Sequence, residues 1–169
     1  INVPPTLISF AVNTEKANNI ISTEFKTAGN YIYLIKHNPT NDFMPNIEEL
    51  KGNYDFVYQN ICNKKIISAS TIKNGGIAES IAKMSFGNMI GVSVEINNID
   101  NLFDLDYGSM IVESNQKLEG KNIILLGQTN DTKTIQINDT IITLEDTLNA
   151  WTSTYEKVYP SKVDIAKQR

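Results

Sequence analysis

The chain has 169 residues, 41% hydrophobic and 20% charged, with a formal charge of −4. That length suits one domain, which buries roughly 70% of the surface its unfolded chain exposes and needs no covalent staples. The charges are mixed in sign with no basic run, which excludes a nucleic-acid-binding stripe, and no apolar run approaches the ~18 residues of a membrane span.

Arg169 is the only arginine, while Asn (21) and Ile (24) are abundant. This composition removes the bidentate arginine clamp for phosphates and carboxylates. It also lowers the weight of any single Asn as a functional signal. Cys62 stands alone and cannot form an internal disulfide, so the expected compartment is the reducing cytoplasm. The opening "INVPPTLISF" lacks an initiator Met and any signal-peptide pattern, and it reads as a piece of something longer.

In chain order, "TLISFAV" (6–12) is apolar and β-branched behind Pro4-Pro5 and predicts a buried strand. "NTEKANNIISTEF" predicts a short helix capped by Thr14, with Ala17, Ile20 and Ile21 on one face. "YIYLIK" follows Gly29-Asn30 as a strand, and 38–46 is turn-rich loop. Asn46 then caps a helix carrying Ile47, Leu50, Tyr54, Val57, Tyr58 and Ile61 at a spacing near 3.6. "KIISAST" (65–71) is the next strand, "GGIAESIAKMSFGN" a helix, and "IGVSVEI" (90–96) a strand. The order β-α-β-α-β-α-β implies an α/β or α+β fold, a mixed sheet flanked by helices. After residue 100, "YGSMIVES", "KNIILLGQT" and "TKTIQIND" read as strands. "TLEDTLNAWTSTYEKVY" closes as a helix capped by Thr143, with Glu145 and Asp146 suiting the helix dipole. Residues 160–169, polar after Pro160, read as a linker, leaving 1–159 as the domain. Asn130-Asp131-Thr132 and Asn138-Asp139-Thr140 match glycosylation sequons, but hairpin turns account for both.

Candidates for chemistry are few. His37, the only histidine, is expected at the surface, and no second His or Cys is placed to complete a metal site. Cys62 is expected as a buried or half-buried inert thiol. Glu95, Asp104 and Asp106 read as solvated acids. The exception is Asn74-Gly75-Gly76: a strand, a Gly pair, then a helix can aim backbone N–H groups at an anion. The structural alternative has Gly75 supplying a positive φ and Gly76 letting the helix start close to the sheet. No catalytic residue is assigned.

"PPTLISFAV", "GGIAESIAKMSFGNMIGV" and "LEDTLNAWTSTYEKVYPSK" together resemble the large form of phosphoribosylformylglycinamidine synthase (FGAM synthase). The similar part is its second AIR-synthetase-related C-terminal domain, from about residue 4 to 162, next to the glutaminase domain. The resemblance implies an AIR synthetase C-terminal-domain-like fold, partly ferredoxin-like, and a place in purine biosynthesis. The whole enzyme is an ATP-dependent carbon–nitrogen ligase, turning formylglycinamide ribonucleotide, ATP and glutamine into the amidine, ADP, phosphate and glutamate. In that family substrate lies in a cleft between C-terminal-type domains and barrel-forming partner domains. ATP and magnesium are held largely by those partners, so neither cofactor is expected on the isolated domain, which should be inactive alone. Family members carry an acid before the Gly pair and often His-Asp upstream. Asn74 and Ser70-Thr71 stand in those places, so the resemblance implies substrate or phosphate contact through Ser70, Thr71, Asn74, Gly75 and Gly76 rather than catalysis. The implied partners are the AIR synthetase N-terminal-type and glutaminase domains of the parent chain and a nucleotide substrate, with room for a homo-oligomer. The alternatives are a structural or interaction domain with a vestigial cleft, or a domain of another AIR-synthetase-like ATP-dependent enzyme.

Overall fold

The structure, a computed structural model, describes residues 6–42, 44–156 and 158–160. Seven strands form one mixed sheet: β1 (Tyr31–Ile35), β2 (Ile66–Thr71), β3 (Gly91–Val94), β4 (Met110–Ser114), β5 (Ile123–Asn130), β6 (Thr134–Ile137) and β7 (Thr140–Thr143). Their order across the sheet is β2-β4-β1-β5-β3-β6-β7. All neighbours are antiparallel except β3 and β6, which run parallel. Three helices accompany them: α1 (Ile47–Cys62), α2 (Gly76–Phe86) and α3 (Leu144–Glu156). The expected α/β architecture of a mixed sheet flanked by helices is the one observed.

Alternation along the strands sorts side chains into two cores. Ile32, Leu34, Val92, Val94, Ile111 and Ile135 face α2, meeting Ile77, Ile81 and Met84. Tyr33, Ile35, Ile66, Met110 and Val112 face α1, meeting Val57. The interior strand β4, next to the edge strand β2, is buried along its whole length. Each fully buried Ile or Leu in these layers contributes about 1.5–3 kcal/mol by leaving water.

Helix boundaries follow their caps. Asn46 Oδ1 accepts the Glu49 N–H (3.2 Å) at the start of α1, and Thr143 Oγ1 accepts the Asp146 N–H (3.1 Å) at the start of α3, as the sequence predicts. α3 attaches through buried Leu144 and through Trp151, which stacks on Phe86 with ring centroids 5.4 Å apart.

Three expectations are corrected, and one strand is added. Residues 6–12 form no strand, and Leu7, Ile8, Phe10 and Val12 are all exposed. Among the described residues no strand pairs with them, and apolar β-branched chain needs a ladder partner to become sheet. The helix expected after Thr14 shrinks to a single 3-10 turn, Ala17–Asn19, without a side-chain cap. There Asn13 and Glu15 side chains accept the neighbouring N–H groups of Thr14 and Lys16, competing with a helical ladder. β7, a segment the sequence left unassigned apart from the turn before it, is a strand because Thr140–Thr143 pairs back along β6. Asn138-Asp139 makes that two-residue hairpin, with Asn138 at φ 52°. Asn130-Asp131-Thr132 makes no hairpin, since β5 and β6 lie on either side of β3.

A buried carboxylate ties the amino-terminal loop to the sheet. Glu113, fully buried in β4, accepts from Lys26 N (2.8 Å), Thr27 N (3.3 Å), Asn30 Nδ2 (2.6 Å) and Ser68 Oγ (3.0 Å). A carboxylate removed from water is tolerable only when its lone pairs are satisfied in this way.

Candidate functional site

The strand–Gly pair–helix unit forms as expected, and its geometry reassigns the glycines. Gly75 precedes α2 with φ −90°, whereas Gly76 has the positive φ of +67°. A Cβ at Gly76 would stand 2.5 Å from the Leu102 carbonyl oxygen. The residue is glycine both for its backbone conformation and because the 3-10 segment Ile99–Phe103 lies directly on it.

The N–H groups of the two glycines at this helix start are engaged within the chain. Gly75 N–H donates to Glu79 Oε2 (2.8 Å) and Gly76 N–H to the Lys73 carbonyl (3.0 Å). Glu79 also pairs with Lys83 one turn on (2.5 Å). The Lys83 ammonium first, and then the Gly75 N–H, hold the Glu79 carboxyl below its ordinary range. A negative side chain therefore already occupies the position an anion would take at the helix dipole.

The remaining predicted site residues fall in different places. Ser70 pairs across β4 with Ile111 of the α2-facing core, and Thr71 pairs with Met110 of the α1-facing core. Adjacent strand residues point to opposite faces, so Ser70 shares the face of Gly75 and Gly76 while Thr71 does not. Asn74 is exposed, and its Oδ1 accepts from the Tyr107 hydroxyl. Beside α2 lies a cavity of about 460 Å³ whose lining includes Leu34, Lys36, Ile77, Ile96, Asn101 and Asp106. Lys36 and Asp106 form an ion pair there (2.9 Å). Asp106, expected as a solvated acid, has a side chain only 11% exposed.

His37 departs furthest from expectation. It is 2% exposed rather than superficial, because the turn after β1 folds its ring against Gly108. Its burial comes from contacts more than seventy residues away, which local sequence does not announce. Cys62 is half-buried, as expected. Among the described residues no group of three or more His, Cys, Asp or Glu is arranged to hold a metal ion, and no helix is long and apolar enough to cross a membrane.

No family model matches the chain. Over 112 residues it is 30% identical to the phosphoribosylformylglycinamidine synthase subunit PurL of Picrophilus torridus, a stretch covering 54% of this chain and 15% of that protein. Its fold is similar to the PurLQS structure from Thermotoga maritima (TM-score 0.64, 9% identity, covering 78% of this chain and 28% of that one). It is similar to phosphoribosylformylglycinamidine synthase II from the same organism (TM-score 0.63, 9% identity, 78% and 28%). A weaker likeness is to E. coli HypE, a hydrogenase maturation protein (TM-score 0.51, 11% identity, 71% and 50%). The chain spans only a small part of each synthase it matches. The resemblance read from the sequence is supported: the chain is similar in sequence to a PurL subunit over 112 residues and similar in fold to FGAM synthase structures.

Proposed function

We propose that this chain is a domain of an FGAM synthase acting in cytoplasmic purine biosynthesis, and that it forms one wall of a cleft for the nucleotide substrate. The observation that carries the reading is the 30% identity over 112 residues to the PurL subunit. In the parent reaction ATP activates the formamide oxygen of formylglycinamide ribonucleotide, and ammonia released from glutamine displaces it to give the amidine. This chain's share is binding and shaping. The α2 start, with Asn74, Gly75 and Gly76 beside the Ile77 cavity, is the surface offered to substrate, and Ser70 lies on the same face. No step is assigned to metal or nucleotide here, and ATP and magnesium fall to the AIR synthetase N-terminal-type domain of the parent, with ammonia supplied by its glutaminase domain.

A second reading has a specific observation behind it. Both glycine N–H groups are already taken, Gly75 by Glu79 and Gly76 by Lys73. A domain whose cleft is vestigial, kept for packing against its partners or a further copy, would look the same.

The two readings separate on titration of the isotopically labelled chain with formylglycinamide ribonucleotide or ADP. The cleft reading expects saturable shifts of the Gly75 and Gly76 amides, and tighter binding in Glu79→Ala, where the competing carboxylate is gone. If neither amide moves in the wild type or the variant, the vestigial reading stands. The chain alone is expected to show no synthase or glutaminase turnover, and substrate-dependent ATP hydrolysis by it would contradict that assignment.

A further inference from the structure

Of the chain's 21 asparagines, Asn74 alone is followed by glycine. Asparagine is thermolabile because the next residue's backbone nitrogen can attack its side-chain amide carbon, and only glycine leaves that approach free of a Cβ. Asn74 and Gly75 sit in the turn closed by the Gly76 N–H on the Lys73 carbonyl (3.0 Å). Asn74 is exposed to the water that such a reaction consumes.

The fold places a base and a donor on the two reacting groups. Gly75 N, the nucleophile, must lose its proton, and that N–H donates to Glu79 Oε2 at 2.8 Å, within the reach of a general base. Glu79 can lie over the amide because Gly75 has no side chain: a Cβ there would stand 2.4 Å from Glu79 Cβ. The Lys83 ammonium, 2.5 Å from the other carboxylate oxygen, favours the ionised form that accepts a proton. On the electrophile, the Tyr107 hydroxyl donates to Asn74 Oδ1. That oxygen takes up negative charge as Cγ becomes tetrahedral, so the donor stands where charge develops. Glu79 comes from α2 and Tyr107 from the segment before β4, and only the folded chain brings both to this turn.

We propose that this turn is a self-modifying site, at which the folded chain converts Asn74 to an aspartyl residue. Gly75 N bonds to Asn74 Cγ while its proton passes to Glu79. The bond from Cγ to Nδ2 then breaks, and ammonia leaves with the proton that Glu79 returns, giving a five-membered succinimide. Water opens the ring at either carbonyl, to aspartate or to the β-linked isoaspartate. The sum is one water consumed and one ammonia released. Both products add a negative charge ahead of α2, and the β-linked one adds a methylene to the backbone of the turn. The effect on substrate rests on the reading of the α2 start proposed above: a second carboxylate beside Glu79 lowers affinity for an anionic ligand there.

The test incubates the full chain at neutral pH in water labelled with heavy oxygen, beside a sample unfolded in guanidinium chloride, and follows label into each asparagine by peptide mass spectrometry. Label is expected at Asn74 ahead of every other asparagine, and at least about tenfold faster in the folded sample than in the unfolded one. Glu79→Gln removes the base and Tyr107→Phe the donor. Each is expected to slow the folded chain at least about tenfold while leaving the unfolded rate unchanged. Three results overturn the proposal: a folded chain no faster than the unfolded one, as when the engaged N–H only restrains the nucleophile; another asparagine reacting first; or an unchanged folded rate in either variant. The first two are read on wild-type protein, so a variant that fails to fold does not protect the idea. No nucleotide enters the measurement, so its failure is distinct from failure of the titration proposed above.

Discussion

At the scale of single residues, two positions concentrate the cost of change. Glu113 sits in the interior with four donors converging on it, two of them backbone N–H groups of the loop after Phe25. Glu113→Ala takes the acceptor from all four, among them the fully buried Ser68 hydroxyl, and leaving a buried donor unpaired costs about 1–3 kcal/mol. We expect the variant to lose about 1–3 kcal/mol of stability by urea unfolding, with hydrogen exchange rising first at Lys26 and Thr27. Gly76→Ala meets two penalties, a left-handed backbone and a Cβ 2.5 Å from a carbonyl oxygen. A loss of about 1–3 kcal/mol is expected. A variant within a few tenths of wild type would show that the 3-10 segment over Gly76 yields easily. Neither cost is visible in the local sequence. Gly75 and Gly76 look equivalent there, and Glu113 looks like any strand acid.

At the scale of elements, α2 stabilises its own start. Glu79 lies in the first turn, caps the Gly75 N–H and reaches Lys83 at i+4. Its carboxyl is held below the ordinary value, so its contribution is complete above the unfolded carboxylate value of about 4.3 and is lost as pH falls through the lower folded value. Glu79→Gln should cost about 0.5–1 kcal/mol at neutral pH, in the range of a helix cap. The gap from wild type should close as pH drops below about 4, since protonated wild type then resembles the variant. A gap constant from pH 7 to pH 3 would rule out the carboxylate as the source. The caps at Asn46 and Thr143 and the hairpin at Asn138-Asp139 were legible in the sequence because they act over two to four residues. β7 was not: its four residues are all exposed, and only pairing along β6 makes them a strand.

At the scale of the whole molecule, the sheet is closed over by α1 and α2, while residues 6–16 lie outside that body. Leu7, Ile8, Phe10 and Val12 are 79–96% exposed, and the contacts holding this segment include Tyr58 to Glu15, a surface hydrogen bond. Removing residues 1–13 should therefore change stability by no more than about 0.5 kcal/mol. The same truncation should reduce self-association, since a run of exposed apolar side chains is a sticky surface. Thermal unfolding and sedimentation of the shortened chain check both. A large fall in midpoint would mean that the segment is part of the fold.

The sequence by itself determined the α/β class, most strands and helices, their caps, and the similarity to an FGAM synthase subunit, because each of these is written in short-range pattern or in residue identity. Tertiary structure alone decided which glycine bears the positive φ, that Ser70 and Thr71 point to opposite faces, that His37 is buried, and that residues 6–12 pair with no strand among those described. Those outcomes depend on neighbours far along the chain. Ile111 and Met110 set the faces of β2, Leu102 and Phe103 crowd Gly76, and Gly108 and Ser109 seat the histidine. Propensity acts between adjacent residues, whereas burial and ladder pairing act between segments that only the completed fold brings together.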